Sequence, residues 1–460
     1  MSSVADGRRG GLDRSLHSSG IVLTPDVPIC QTDLPLDWYQ EEFKPYAEEY
    51  LALPDRKPET VLPWMDRYLE PAIRELGEDL MLLAHYYMGG EIVKLVERYG
   101  GHIADSYQLA RQAVLHPEKR IFVESAVHFM AEAIALLAAP DQSVYITNPK
   151  SGCTMEMMAK EFMVAPAYER LRTWLGEDLL VVAYMNTSGR LKALAGRTGG
   201  AVCTSSNASA ILSWARAAGR RILFVPDEHL GRNVAAQVGI PRDRIALWPG
   251  AHDGAELEPS ELPTSERERL ERAELVLWGS FCGVHTVFTP EHVAYWREHG
   301  HRVVVHPECP QPVVEVADAS GSTSFLWGHV MEATPGSRFA VGTEGHFVRN
   351  LREQAGRRGI AVVHLADVPG ADGRECGCAT MSRNDPPHLV AMIDLLRRGC
   401  PPQANRVLPG DQVDEISGWR ERVDPAARQE LAGDARRALE RMIELTEAAE
   451  RPGVSPRAPA

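Results

Sequence analysis

The chain has 460 residues, 44% of them hydrophobic and 24% charged, so it is long enough for two to four domains with sizeable cores. A net charge of −14 argues against a nucleic-acid groove or an anionic membrane surface as the main partner, and it leaves room for a local basic pocket that takes a small phosphorylated substrate. No apolar run is long enough for a membrane span, and the first residues lack an apolar export core.

Residues 1–59 are rich in Gly, Ser, Pro and charge, and read as a mobile extension with one helix near 38–53. A helix at 61–76 then leads into the apolar run 80–84, bounded as a buried parallel strand would be. Similar runs recur at 120–124, 143–147, 179–184, 200–204, 221–226, 274–278, 301–306, 338–343 and 360–365. Helical patterns lie between most of them, at 91–99, 129–137, 155–165, 206–218, 289–299 and 387–396. Strand, loop, helix and strand repeated in this way predict α/β architecture, with parallel sheets covered by helices on both faces. Asp424 and Pro425 open a charged amphipathic helix over 424–449, and the Pro-rich end after it reads as disordered.

Ligands of such sheets gather at the carboxyl ends of the strands, where most of the notable polar residues fall. The eight cysteines are too sparse for a disulfide framework, and a reducing cytoplasm is the expected compartment. Cys153, Cys282 and Cys378 occupy equivalent places in successive αβ blocks, each just past a strand or before a helix. A thiol near a helix N-terminus loses its proton more readily, and the thiolate is the form that binds iron. A single Cys after a strand is also a common small core residue, so the residues alone leave both readings open. Cys30, Cys203, Cys309 and Cys400 read as non-ligands.

Ser106, Ser205, Ser322 and Thr323 stand where hydroxyls bind phosphate or carboxylate oxygens, or where they simply cap helices. His306 and Glu308 follow the apolar run Val303-Val304-Val305. A carboxylate at a dry strand end is expected to have a raised pKa suited to proton transfer; the alternative is a buried ion pair. His85 and Tyr87 have a similar standing at the end of the first run.

In order, these strings resemble the quinolinate synthase family. The resemblance rests on Ala84-His85-Tyr86-Tyr87, Asp105-Ser106, Gly152-Cys153, Tyr184-Met185-Asn186-Thr187-Ser188, Thr204-Ser205-Ser206-Asn207 and Pro226-Asp227. It continues through Cys282-Gly283-Val284-His285, His306-Pro307-Glu308-Cys309, Gly321-Ser322-Thr323, Gly342-Thr343-Glu344 and Cys376-Gly377-Cys378. It implies three pseudo-symmetric three-layer α/β/α domains around a central cluster site, here over 60–152, 153–281 and 282–400, with a C-terminal helix and tail over 401–460. It implies one [4Fe–4S] cluster on Cys153, Cys282 and Cys378, with one iron open to substrate as a Lewis acid.

The implied enzyme is a transferase that condenses iminoaspartate with dihydroxyacetone phosphate into quinolinate for NAD biosynthesis. An aspartate oxidase or dehydrogenase would supply the iminoaspartate. By position, Tyr184, Asn186 and Ser205 would hold the carboxylates, and Ser106, Ser322, Thr323 and His85 would meet the phosphate or carbonyl region. Glu308 would be the main acid–base group, with Tyr87 and His306 assisting.

The chain departs from the family pattern at Met88, Ala104, Ser125-Ala126, Thr147-Asn148, Glu228 and Gly279-Ser280-Phe281. These departures leave open a paralogous cluster enzyme that condenses or dehydrates a related small acid. A cluster-bearing sensor is disfavoured by the retained His85, Tyr87, Tyr184 and Glu308.

Overall fold

The computed structural model describes residues 34–369, 377–413 and 420–451. Three separate parallel sheets carry the fold. The first contains β1 (Leu80–His85), β2 (His102–Ala104), β3 (Ile121–Ser125) and β4 (Ser143–Ile146), in the order β2-β1-β3-β4. The second contains β5 (Leu179–Tyr184), β6 (Ala201–Cys203), β7 (Arg221–Val225), β8 (Ile245–Pro249) and β9 (Leu275–Gly279), in the order β6-β5-β7-β9-β8. The third contains β10 (Arg302–Val305), β11 (Ala319–Ser320), β12 (Arg338–Gly342) and β13 (Ala361–His364), in the order β11-β10-β12-β13. A short antiparallel pair, β14 (Gln412–Val413) and β15 (Arg420–Glu421), lies outside them.

The α/β class with three helix-flanked parallel layers is thus the architecture of the chain. Central strands are apolar throughout because both faces are covered: all six residues of β5 are buried. In every sheet the second strand lies on one side of the first and the third strand on the other. That reversal opens a crevice at the carboxyl ends of the first and third strands, the usual ligand position in such sheets.

Three strands of the parallel sheets escape the apolar-run pattern, and all three are sheet edges: β2, β8 and β11. An edge strand is covered less completely, so it needs no continuous apolar run; Leu247 in β8 is exposed. The helix expected over 155–165 is instead two helices, Thr154–Met157 and Glu161–Leu175. Lys160 between them is extended, and the Met158 carbonyl accepts the Trp278 indole N–H at 3.0 Å.

The expected N-terminal extension needs correction from residue 34 onward; residues 1–33 lie outside the described residues. Leu34, Tyr39, Phe43, Tyr46 and Tyr50 are buried in the main core, and the helix Lys44–Leu51 packs against the helix Pro386–Arg397. Tyr39 stacks on His388 with centroids 4.7 Å apart and donates to Asp385. Tyr39, Phe43, Tyr46 and Tyr50 recur four, three and four residues apart, a helical period that marks the attached face in the sequence itself.

Asp424 caps the helix Pro425–Glu450 by accepting from Ala426 N at 2.9 Å. This helix crosses the helix Gly189–Arg197 so closely that a Cβ at Gly196 would lie 1.9 Å from the Asp434 carbonyl oxygen. No helix among the described residues is long and apolar enough to cross a membrane.

Candidate active site

The three sheets contribute to one cavity in the same order of strand ends. His85 ends β1, Tyr184 ends β5, and His306 follows β10, the first strand of each sheet. Ser106, Ser205 and Thr323 follow the second strands. Cys153, Cys282 and Cys378 follow the last strands in chain order. These residues line a single cavity together with Tyr87, Asn186 and Glu308. The buried Asn186 Oδ1 has no hydrogen-bond partner, so an amide carbonyl at the cavity wall is available to a ligand. Ser322 is the exception. It is not on the lining, and its hydroxyl accepts from Phe325 N at 3.3 Å as the cap of the helix Thr323–Met331.

Among the described cysteines the three lining thiols stand apart. Cys203 and Cys309 are buried, and Cys400 is exposed; Cys30 and Cys376 lie outside the described residues. Cys153 stands at the N-cap position of the helix Thr154–Met157, and the nearby backbone of Glu156 and Met155 works to lower its thiol against the larger effect of burial. The Cys378 sulfur lies 3.2 Å from Thr380 Oγ1, a contact that works to lower its thiol. Burial pushes all three thiols up. Cys282 is raised further by the charges of Glu308, Cys378 and Cys153. Three thiolates lining one buried cavity repel one another, and a cation between them would offset that repulsion. The donor set therefore fits a cationic iron–sulfur group held by three sulfurs. Cys282, His285 and Glu308 also bring one donor atom each within 4.8 Å of one another.

Glu308 is the charge centre beside Cys282. Its Oε2 lies 2.8 Å from His285 Nδ1 and 3.9 Å from His306 Nδ1, and its Oε1 accepts from the Tyr184 hydroxyl at 2.5 Å. Burial alone would raise this carboxyl, but the His285 contact and the Tyr184 hydroxyl outweigh it and hold the group below its ordinary value. The expected upward shift is therefore reversed, and the physical reason is the direct His285 contact. Burial depresses His85 to about 4 and His306 to about 3, so both rings are neutral at pH 7. Burial, joined by the charge of Glu308, raises the Tyr87 and Tyr184 hydroxyls well above their ordinary value, so both stay protonated. Thr343 Oγ1 ties Tyr87 at 2.9 Å to His285 Nε2 at 3.0 Å, and His306 Nε2 lies 3.2 Å from Ser205 Oγ.

Sequence reasoning gave no role to His285, Asp227 or Glu344, although all three lie in the strings quoted above. Their partners are Glu308, Cys282 and Cys378. Nothing local links residues so far apart in the chain.

Three parallel sheets that present one thiol each to a cavity with a buried carboxylate, imidazoles and phenols define an α/β enzyme with a three-thiol site. The family model described as quinolinate synthetase A protein matches residues 72–404. The quinolinate synthase of Corynebacterium glutamicum is 36% identical over 431 residues, 92% of this chain and 97% of that protein. That of Acidobacterium capsulatum is 36% identical, covering 86% of this chain and 95% of the relative. That of Streptomyces coelicolor is 33% identical, covering 92% and 98%. The chain belongs to the quinolinate synthase family.

Proposed function

We propose that this chain condenses iminoaspartate with dihydroxyacetone phosphate to quinolinate, releasing phosphate and two waters, as a step of NAD biosynthesis. Cys153, Cys282 and Cys378 would hold one [4Fe–4S] cluster. When bound, the cluster would supply a Lewis acid that makes a substrate hydroxyl a better leaving group. The observation that carries this reading is the convergence of three thiols, each from the end of a different sheet, on the cavity that also holds Glu308.

The chain's own groups suit the proton transfers this reaction needs. Glu308 is ionised at neutral pH and accepts a proton; His285 beside it steadies the charge. Neutral His85 offers its Nε2 to a carbonyl or hydroxyl of the substrate, neutral His306 acts through Ser205, and protonated Tyr87 offers a hydroxyl. Tyr184, Asn186 and Ser205 would orient the carboxylates, and Ser106 and Thr323 the phosphate end. The Ser322 hydroxyl is committed to its helix cap, which leaves it out of this set.

None of the departures from the family pattern lines the cavity: Met88, Ala104, Ser125, Ala126, Thr147, Asn148, Glu228, Gly279, Ser280 and Phe281 all lie off it. This favours quinolinate as product over that of a related acid. The test is anaerobic purification, reconstitution with iron and sulfide, and supply of both substrates. Quinolinate formation is expected. A loaded protein that makes none removes the substrate assignment in favour of a related acid, and a protein that takes up neither iron nor sulfide removes the cluster.

A further inference from the structure

Two buried carboxylates repeat the same geometry behind two of the three thiols. Asp227 follows β7 by two residues and caps the helix Glu228–Gln237, its Oδ1 accepting from Leu230 N at 2.6 Å. Its other oxygen, Oδ2, accepts from the backbone N–H of Cys282 at 3.1 Å. Glu344 follows β12 by two residues and caps the helix Gly345–Gly356, its Oε2 accepting from Phe347 N at 3.0 Å. Its Oε1 accepts from the backbone N–H of Cys378 at 3.0 Å, and the same oxygen lies 2.9 Å from His346 Nδ1. Both carboxylates are fully buried.

In each case the strand before the carboxylate pairs directly with the strand before the cysteine, β7 with β9 and β12 with β13. The corresponding position after β3 is Val127, which has no oxygen to offer. A cap needs only one acceptor, and a buried carboxylate is costly where one hydroxyl would serve. The second oxygen goes to the cysteine N–H in both cases, and in Glu344 it is shared with His346.

We infer that Asp227 and Glu344 are positioning residues for the thiols of Cys282 and Cys378, each using one carboxylate to lock a cysteine backbone to the start of a neighbouring helix. This rests on the reading of those cysteines as cluster ligands. Groups that hydrogen-bond to metal ligands fix their direction, and losing one typically weakens metal binding about 10- to 100-fold.

Asp227→Asn and Glu344→Gln separate capping from clamping. An amide has one acceptor oxygen, so it can keep the helix cap, but its NH2 then faces the cysteine N–H, donor against donor. Asp385→Asn is the control. Asp385 caps the helix Pro386–Arg397 with a bond to His388 N at 3.1 Å and contacts none of the three cysteines. The reconstituted holoprotein is challenged anaerobically with an iron chelator, and the reduced cluster is recorded by electron paramagnetic resonance. Iron release about 10- to 100-fold faster is expected in Asp227→Asn and Glu344→Gln, with a changed resonance line shape and with Asp385→Asn unchanged on both counts. Wild-type release and line shape in both variants would overturn the inference and leave the cluster reading intact. Equal acceleration in Asp385→Asn would show that neutralising any buried capping carboxylate has the same effect, and would overturn the inference. If the wild-type chain takes up no iron and sulfide, the cluster reading fails and this inference with it.

Discussion

Tyr184, the last residue of β5, donates its hydroxyl to Glu308, which follows β10, at 2.5 Å. This bond spans the cavity between the second and third sheets and fixes the direction in which the carboxylate presents its free electron pairs. On its other side Glu308 meets His285, 2.8 Å away. The two groups in direct contact with the Glu308 carboxylate thus both follow strands of the second sheet, β5 and β9.

His285→Ala removes the nearest partner of the Glu308 charge. Glu308 is held low in the native protein, so losing the imidazole raises its pKa. The ionised base then persists over a narrower range, and the acid limb of the pH–rate profile moves to higher pH, by about one pH unit or more. An acid limb that does not move would separate His285 from the charge state of Glu308.

Glu308→Gln keeps the shape of the side chain and its contact with the Tyr184 hydroxyl but cannot take a proton. Turnover is expected to fall about 10²- to 10⁴-fold, with iron and sulfide content unchanged. Near-normal quinolinate formation would remove Glu308 from proton transfer.

Replacing any one of Cys153, Cys282 or Cys378 by Ser is expected to prevent stable cluster assembly, measured as iron and sulfide per chain after anaerobic reconstitution. Cys376→Ser is expected to lower the content less, and the exposed Cys400 is expected to tolerate Ser with no loss. Equal loss for Cys376 and Cys378 would refute the choice of third ligand.

Phe43→Ala tests the attachment of the N-terminal segment. Phe43 is fully buried in the main core, with its ring edge against His388 at 5.6 Å between centroids. Emptying that space is expected to cost about 3–5 kcal/mol, read from the denaturant midpoint and slope. A cost near zero would return the segment to a loosely attached extension.

Much of the fold is legible along the chain because parallel strands covered on both faces must be apolar throughout. The run at 179–184 is β5 residue for residue, and 221–226 overshoots β7 by only one. The edge strands β2, β8 and β11 leave no such mark, since partial cover demands less apolar character. The cavity-lining residues were found as polar strings at strand ends, because strand ends are where backbone and side chains face a shared crevice.

By itself, the amino-acid order determined the α/β class, the strand ends where polar residues would gather and, through its collinear strings, the family. It could not decide the charge of Glu308, which depends on His285 and Tyr184 brought to it by folding. Nor could it show that the second oxygens of Asp227 and Glu344 reach Cys282 and Cys378, or that the Ser322 hydroxyl turns back to its own helix. Periodicity records burial, which each residue carries in its own chemistry. Ionisation and hydrogen-bond direction belong to pairs, and the members of these pairs meet only when the three sheets pack.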